Sequence, residues 1–280
     1  MASNPITKTN VLNYIPEIWS KEVLADVEKK LLTAKLVDRS YEAFMKEGGY
    51  ILHVPHLAEI SANAVNTAAD MTLYDAVQNT TQINVNISYD IGVAVDDINK
   101  VQTNPKYFTL VRSKMAYGLA KQIDINVNAL FNAFSQTVGT EGSALTSDVL
   151  IEAYEYLNLA DAPEEERAWV FDPESITDLL KIDYFVKMDY VPGSVSEKGF
   201  VGRQIFGAPV YITTNLEEVN TSYHGATFMQ KEAIALIIQM QPKFEAFRLG
   251  MRHSDVISGL CTYGVCEMRD TFGVFIKTRS

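Results

Sequence analysis

Strict alternation of apolar and polar residues is the clearest pattern in the chain, and it lies between Ile83 and Val95. Every second position in this segment is Ile, Val or Tyr, and the positions between them are Asn, Ser, Asp, Gly or Ala. A period of two is the period of a β-strand. At about 3.3 Å per residue, a strand of ~13 residues would be on the order of 43 Å long, which exceeds the usual length of roughly 3 to 10 residues. The pattern therefore predicts one long strand that projects from the body of the protein as a β-arm.

A helical period follows this strand. Asn104 and Pro105 form a typical helix start, since asparagine caps a helix and proline fits its first turn. Apolar residues then recur every three or four positions, at Phe108, Val111, Met115, Leu119, Ile123, Val127, Leu130 and Phe134. This spacing places them on one face of a helix. We predict a helix of about eight turns that ends near residues 137–139.

The remaining patterns predict shorter helices and strands. Further helices are expected at 14–35, at 148–159 with Ser147 as its cap, and from the Asp172-Pro173 pair onward. Further strands are expected at 50–55, 167–171, 209–213, 226–229, 233–240, 256–267 and 272–277. No internal repeat and no Pro-rich or Gly/Ser-rich linker divides the chain.

Four stretches lack a regular period. Residues 1–13 are predicted to be an extended arm, and Gly48-Gly49 is a turn signal. Segment 58–79 contains too few large apolar residues for a core of its own, so we predict an exposed excursion. Residues 187–203 combine Gly and Ser with mixed charges, which predicts a mobile loop.

Composition places the chain among folded proteins. Its 280 residues are 47% hydrophobic and 21% charged, which excludes collagen-like, low-complexity and disordered classes. The formal net charge of -11 has the wrong sign for a surface that holds phosphates through Lys and Arg. A dedicated nucleic-acid binder is therefore not expected.

The chain has no pattern that predicts export or membrane insertion. Its longest uninterrupted apolar run, 233–238, is far shorter than the roughly 20 residues of a membrane span. The polar start MASNPITKTN is not followed by an apolar segment, so no signal peptide is predicted. Because the chain has only two cysteines, we expect it to reside in a reducing cytoplasm.

The histidines do not form a metal-binding pattern. His53 and His56 are the best candidates, but zinc-binding helices use histidines four positions apart, and Pro55 prevents a helix. In a strand, positions three apart lie on opposite faces. His224 and His253 have no neighbouring pattern of carboxylates or cysteines. We therefore predict no metal site.

Cysteine and glycine motifs give no catalytic or cofactor site. Cys261 and Cys266 are five positions apart, which is not the spacing of a redox C-x-x-C motif, and we expect two small buried residues on a strand. The glycines of 199–207 lack the G-K-[ST] ending of a phosphate loop and the G-x-G start of a dinucleotide site. The chain contains no G-x-S-x-G elbow.

One acidic run and one acidic pair are better explained by a structural role than by catalysis. Glu164, Glu165 and Glu166 follow Pro163, a pattern typical of a helical turn whose N-terminal dipole favours negative charge. The Asp96-Asp97 pair is interpreted as the end of a strand and a cap. We predict no catalytic residues, no cofactor and no enzymatic activity.

Several short segments, in their order along the chain, resemble one protein family. These are 15–19 (IPEIW), 36–41 (LVDRSY), 167–173 (RAWVFDP), 207–211 (GAPVY), 240–245 (MQPKFE) and Tyr263-Gly264. Together with the sequence of arm, helix, exposed β-loop, long helix, inserted α/β region and returning strands, they resemble the major capsid protein of tailed bacteriophages, which has the Hong Kong 97-like fold. Each motif is short, so the specificity of the resemblance lies in their order.

The resemblance implies an α+β fold with named parts. These are an N-terminal arm at 1–14, a first helix and exit in the peripheral domain at 15–47, an extended β-loop at 48–96, a spine helix in the peripheral domain at 97–142, an axial domain at 143–232, and returning peripheral and axial strands at 233–280. Some relatives begin with a scaffolding segment that a protease removes, and none is expected here before the arm. Some relatives cross-link their subunits, and no reactive residue is carried over to this chain.

The resemblance also implies a function and partners. The chain would assemble with copies of itself, as pentamers and hexamers, into an icosahedral shell around double-stranded DNA, which it would contact non-specifically. Separate scaffolding, portal and decoration proteins would be further partners. The protein would be made in the host cytoplasm and reside in the virion, with no contact to a membrane.

Three alternatives remain open at the level of sequence. An encapsulin-like compartment would use the same fold to enclose a cargo enzyme and no genome. A cytoplasmic enzyme could be built on the α/β region at 143–223. A tail or baseplate protein would form tubes or rings.

Overall fold

The computed structural model describes residues 32–46, 48–57, 62, 78–97, 106–182, 204–216, 218–220, 223–249 and 253–279. The predicted arm at 1–13, nearly all of the predicted helix at 14–35, most of the 58–79 excursion and the predicted loop at 187–203 lie outside these residues.

Helices and strands alternate irregularly along the described residues. The helices are α1 (Glu42–Met45), α2 (Lys106–Ala129), α3 (Ser147–Leu159) and α4 (Pro173–Leu179). The strands are β1 (Ile51–Leu57), β2 (Gln78–Asn84), β3 (Ile87–Asp96), β4 (Gln136–Val138), β5 (Arg167–Phe171), β6 (Gln204–Ile205), β7 (Ala208–Ile212), β8 (Glu218–Asn220), β9 (Tyr223–Gln230), β10 (Ile234–Leu249), β11 (Ser254–Glu267) and β12 (Gly273–Lys277). None of the helices in these ranges is long and apolar enough to cross a membrane.

The described strands form three sheets. Strands β10, β11 and β3 make an antiparallel three-stranded sheet, and β1 pairs with β2 as a two-stranded ribbon. The third sheet has seven strands in the order β4-β12-β9-β5-β7-β6, with β8 paired to β9. The mixture of parallel and antiparallel pairs in this sheet, with helices beside it, confirms the α+β class.

Helix α2 packs against the three-stranded sheet through its apolar face. Met115, Leu119 and Ile123 on this face are buried. At Gly118 the helix lies close to β3, since a Cβ there would make an ordinary contact, 3.4 Å from the Cδ1 atom of Ile91. The Asn126 amide donates a 2.8 Å hydrogen bond to the Tyr263 hydroxyl on β11, so polar contacts also fix the helix on the sheet.

The seven-stranded sheet has its own aromatic centre. Trp169 on β5 stacks on Phe228 on β9 with 3.9 Å between ring centroids, and its indole N–H donates to the Ile205 carbonyl at 3.1 Å. Strand β5 has the predicted bounds, 167–171. The predicted helix start after it is confirmed as well, because the Asp172 carboxylate accepts the backbone amides of Glu174 and Ser175.

The single long strand predicted at 83–95 is wrong. The alternating segment is divided at Val85-Asn86 into β2 and β3, which pair with different strands in different sheets. Strand β2 pairs with β1 in a two-stranded ribbon, whereas helix α2 packs on β3. The predicted alternation of inward apolar and outward polar side chains is correct in both strands, because each strand has one face toward apolar neighbours.

The predicted end of the long helix, at 137–139, is also wrong. Helix α2 ends at Ala129 and continues as a 3-10 turn from Leu130 to Ala133, and residues 136–138 form β4. Phe131 and Phe134 are still buried. The turn after the helix faces the same core as the helix does, and for this reason the apolar period continues past the end of the helix. The predicted start at Asn104-Pro105 lies outside the described residues.

Two further boundaries differ from their predictions. Thr146, not Ser147, occupies the N-cap position of α3, with extended φ and ψ angles, and Ser147 is the first helical residue. Strand β10 does not end at Met240 but continues to Leu249. An irregularity in the pairing between Met240 and Lys243 accommodates Pro242, after which the hydrogen bonding to β11 resumes.

Candidate interaction surfaces

The candidate metal ligands His53 and His56 lie on β1, opposite Gln82 and Asn79 of β2. Both histidines are exposed, and three positions along a strand put them on opposite faces, as predicted. In the described parts of the chain, no three or more His, Cys, Asp and Glu side chains come together in a way that could hold a metal ion.

The two cysteines are free thiols on β11 with different environments. Cys261 is fully buried, as predicted, whereas Cys266 is only partly buried, so that half of the prediction is wrong. Burial raises the pKa of both thiols above its ordinary value. Raised pKa values keep these thiols protonated and unreactive at neutral pH.

The acidic run at 164–166 forms a turn and not the predicted helical one. Glu166 has a left-handed φ of 56°, and its carboxylate pairs with the Lys231 ammonium at 2.6 Å. Asp96 ends β3, as predicted, and Asp97 accepts hydrogen bonds from the Arg248 guanidinium at 2.6 and 3.1 Å. Glu166 and Asp97 therefore each form an ion pair with a segment distant in sequence.

The β1–β2 ribbon is anchored by a small apolar cluster, against which Leu52 and Val54 of β1 also pack. Ile83 and Val85 pack there with Met45, Ala235 and Ile237 in a small apolar cluster of buried residues. Farther along the ribbon, a groove of about 590 Å³ separates it from the body of the protein, with Asp38, Tyr41, His56, Glu232 and Arg269 among its lining residues. Most of the residues that line this groove are polar or charged.

Exposed apolar side chains form a first surface on the outer face of the three-stranded sheet. Met240, Phe247 and Leu260 are each between 42% and 46% exposed. The strand register places Phe247 beside Val256. Val256 is in turn paired with Ala94 on β3. Helix α2 covers the opposite face of the sheet, so this outer face has no described partner within the chain.

A second exposed apolar surface lies where α1 leads into β1. Phe44 is 71% exposed and Tyr50 is 60% exposed. The Gln239 amide donates to the Gly49 carbonyl at 2.8 Å, which fixes this corner on β10. Gly48 and Gly49 both have left-handed φ angles, which confirms the predicted turn.

A third surface follows one side of α3. Ile151 and Leu159 are 53% and 71% exposed, and Glu155 lies between them on the same helical stripe. Phe206, in the turn between β6 and β7, is exposed and lies against the Tyr154 ring at a centroid distance of 5.1 Å. Single exposed apolar residues are common on protein surfaces, whereas large contiguous apolar patches are typical of protein–protein contacts.

The beginning of the described chain is fixed to α2 by one buried carboxylate. Asp124, which is 2% exposed, accepts the backbone amides of Leu32 at 3.2 Å and Ala34 at 3.3 Å. Burial raises the pKa of Asp124 above its ordinary value, although these hydrogen bonds oppose that rise. The carboxylate therefore fixes the start of the described chain, residues 32–34, on α2.

Comparison with solved structures identifies the fold. The chain matches a structure from Mycobacterium phage Che8 with a TM-score of 0.76 and 21% identity over 88% of this chain and 90% of that one. It matches the capsid structure of the cyanophage P-SCSP1u with a TM-score of 0.69 and 15% identity over 83% of this chain and 84% of that one. It also matches a virus-like particle from Pyrococcus furiosus with a TM-score of 0.58 and 13% identity over 93% of this chain and 98% of that one.

No protein-family model and no curated protein matches the chain. The structural matches nevertheless cover most of the chain and most of each matched structure, so the likeness concerns the whole architecture. The chain has the Hong Kong 97-like fold of phage capsid structures, as the sequence resemblance implied.

Proposed function

We propose that this chain is the major capsid protein of a tailed bacteriophage and that copies of it assemble into the icosahedral shell that encloses double-stranded DNA. The observation that carries the proposal is the match of fold over 88% of the chain at a TM-score of 0.76. The β1–β2 ribbon and the three exposed apolar surfaces support it, because they carry exposed side chains that neighbouring copies would bury.

The sheets suggest how the parts of the subunit correspond to the domains of this fold. We assign α2 and the three-stranded sheet to the peripheral domain, the β1–β2 ribbon to the extended loop, and α3, α4 and most of the seven-stranded sheet to the axial domain. Strands β4 and β12 join the axial domain in this assignment, because they hydrogen-bond within the seven-stranded sheet although they flank the 143–232 segment in sequence.

The role of the protein in this proposal is structural and not enzymatic. Glu166 and Asp97 pair with Lys and Arg side chains, Asp172 caps backbone amides, and burial raises the pKa of both thiols. The proposed partners are copies of the chain, with separate scaffolding, portal and decoration proteins, and DNA contacted non-specifically. The proposed location is the virion, after synthesis in the host cytoplasm.

An encapsulin-like compartment is the second candidate function. The match to a virus-like particle from Pyrococcus furiosus, over 93% of this chain, favours it. The higher TM-scores of the phage structures favour the capsid proposal over this candidate. The two candidates differ in what the shell encloses, and not in the fold or the mode of assembly.

Electron microscopy and sedimentation of the purified protein, alone and with its cognate scaffold, test the proposal. We expect closed shells or capsomers of very high mass, with phage DNA in particles isolated from infected cells. Shells that carry a cargo enzyme and no genome would favour the compartment. A homogeneous 31.3 kDa monomer under every condition, including with the scaffold, would contradict both.

A pair of variants tests the outer face of the three-stranded sheet as an assembly surface. Replacing both Phe247 and Leu260 with Ser should leave the subunit folded, because both side chains are largely exposed, but should reduce shell yield. Leu180→Ser is the matched control, since Leu180 is 38% exposed but lies outside the three surfaces. Equal shell yields from all three proteins would show that this face does not contribute to assembly.

A further inference from the structure

Helix α3 and the turn after it form an acidic stretch of the described chain. Residues 147–166 contain no Lys or Arg, and their seven acids are Asp148, Glu152, Glu155, Asp161, Glu164, Glu165 and Glu166. Among the described residues, only Glu166 of this stretch has an ion-pair partner, which is Lys231. This part of the subunit therefore carries an excess of negative charge that the other described residues do not neutralise.

Three of these acids share one side of α3 with two large apolar residues. Along the helix, the five positions form one stripe, because they recur at the spacing of a helical face. All five are exposed: Asp148, Ile151, Glu152, Glu155 and Leu159. The opposite side of the helix, which includes Leu150 and Leu157, is buried. We call the exposed stripe the α3 surface.

The exposed side of α2 has the opposite charge. Residues 106–123 contain four Lys and Arg residues and no acid. Lys114, Tyr117 and Lys121 are three and four positions apart, so they lie on one side of the helix. All three are exposed, Tyr117 to 44%, whereas Leu119 on the other side is buried. We call the stripe of Lys114, Tyr117 and Lys121 the α2 surface.

The α2 and α3 surfaces match in spacing as well as in charge. Asp148 and Glu155 are seven residues apart, and so are Lys114 and Lys121. At about 1.5 Å per residue, each pair of charges is separated by roughly 10.5 Å along its helix. In both helices, a large exposed side chain with apolar surface stands three positions after the first charge. The two helices can therefore lie side by side with both acids opposite both lysines.

Within one subunit, the described residues do not bring these surfaces together. Helix α2 packs on the three-stranded sheet, whereas α3 packs on β9 and β12 of the seven-stranded sheet. The ion pairs formed by the described residues include neither Lys114 nor Lys121 nor any acid of α3. The complementary charges can therefore meet only when two copies of the chain come together.

We propose that the α3 surface of one subunit docks on the α2 surface of a second copy of the chain. The contact is heterologous, because it joins two different surfaces, so each copy binds one neighbour through α3 and another through α2. Repetition of such a contact gives a ring when the rotation between neighbours closes. The inference rests on the proposed shell function in so far as it names the partner of one assembly surface, but the same contact can also build rings or tubes.

Reversal of charge on each surface, and then on both together, tests the proposal. Glu152→Lys with Glu155→Lys reverses the α3 surface and leaves Asp148, which favours the start of the helix, in place. Lys114→Glu with Lys121→Glu reverses the α2 surface. Each double variant should raise the protein concentration needed for assembly about tenfold or more, because like charges then face each other. The chain with all four changes has complementary charges again and should recover most of its assembly.

Two controls separate pairing from net charge and from unfolding. Glu141→Lys with Glu174→Lys makes the same change in net charge at exposed positions outside both surfaces, and it should assemble like the wild type. Thermal melting shows whether each variant folds. If the α3 lysine variant does not melt cooperatively, Glu152→Gln with Glu155→Gln takes its place. These glutamines should weaken assembly of the wild-type chain but strengthen assembly of the chain with a reversed α2 surface.

Sedimentation and electron microscopy of these proteins give the outcome. Loss of assembly in both reversed variants, and its recovery when they are combined, would support the contact. Normal assembly of either reversed variant, no recovery in the combined chain, or an equal loss in the control would overturn it, and wild-type shells would then leave the capsid function intact. Wild-type rings or tubes that depend on the two surfaces would contradict the shell function and support the contact. A wild-type chain that stays monomeric at every concentration would overturn both.

Discussion

Gly264 on β11 lies directly against the backbone of Asn84 at the end of β2. A Cβ at position 264 would collide with the Asn84 carbonyl and would lie 3.0 Å from the Cα atom of Val85. This close approach occurs where the chain leaves the β1–β2 ribbon and enters the three-stranded sheet. The lack of a side chain at Gly264 therefore allows β11 to lie against the backbone at the end of β2.

Gly264→Ala should destabilise the subunit by about 1 to 3 kcal/mol, the usual cost of overpacking against backbone that cannot move. Equilibrium unfolding in urea measures the change. Gly92→Ala is the control, because a Cβ there would make only an ordinary contact, 3.9 Å from the Ile257 carbonyl oxygen. Equal stabilities of the two variants would contradict the role assigned to Gly264.

Leu119→Asp should give insoluble or unfolded protein. Leu119 is 3% exposed on the face of α2 that packs on the sheet, and a charge there has no partner to offset its loss of hydration. The milder Leu119→Ala should cost about 2 to 5 kcal/mol. Lys121→Asp, at an exposed position of the same helix, should remain soluble. Solubility and thermal melting of the three variants check the prediction, and a soluble, normally melting Leu119→Asp would contradict it.

Asp124→Ala should release the start of the described chain from α2. The variant leaves the amides of Leu32 and Ala34 without their acceptor in a buried site, at a cost of about 1 to 3 kcal/mol. We expect faster tryptic cleavage after Lys35 and a lower urea midpoint. Asp124→Asn retains one acceptor oxygen, so it should lie between the wild type and the alanine variant. Identical cleavage rates in all three proteins would show that Asp124 does not hold the start of the described chain on α2.

Deletion of 62–74 should separate folding from assembly. Nearly all of this segment lies outside the described residues, and the buried cluster at the base of the ribbon, which includes Ile83 and Val85, is not touched by the deletion. We expect a soluble, cooperatively melting subunit that no longer forms shells, as measured by calorimetry and sedimentation. Shells of normal size and yield from the deletion variant would contradict an intersubunit role for the loop.

Local sequence patterns predicted many of the helices and strands, because each of these is determined mainly by one feature of a few neighbouring residues. Strand β5 and the Asp172 cap follow from a short apolar run and a carboxylate before proline, both of which act over a few residues. The order of such elements was enough to indicate the capsid fold before any contact was known.

The errors have a common physical origin in partners that are distant in sequence. Strands β2 and β3 have the same alternation, so nothing in their own residues indicates that one pairs with β1 and the other with β11. Phe134 continues the helical period of α2, but it is buried by packing over Gly273, 139 positions later in the chain, and not by a longer helix.

The sequence by itself determined which residues are apolar, where strands and helices recur and which overall architecture their order resembles, because these depend on neighbours a few positions away. Only the tertiary structure decided where the ribbon leaves the sheet and which apolar residues remain exposed for partners. It also decided that the Asp270 carboxylate accepts the Ser135 amide, since these two residues, far apart in sequence, are brought together only by the packed core. Proton affinity and exposure are set by surroundings in space, and a linear pattern does not contain them.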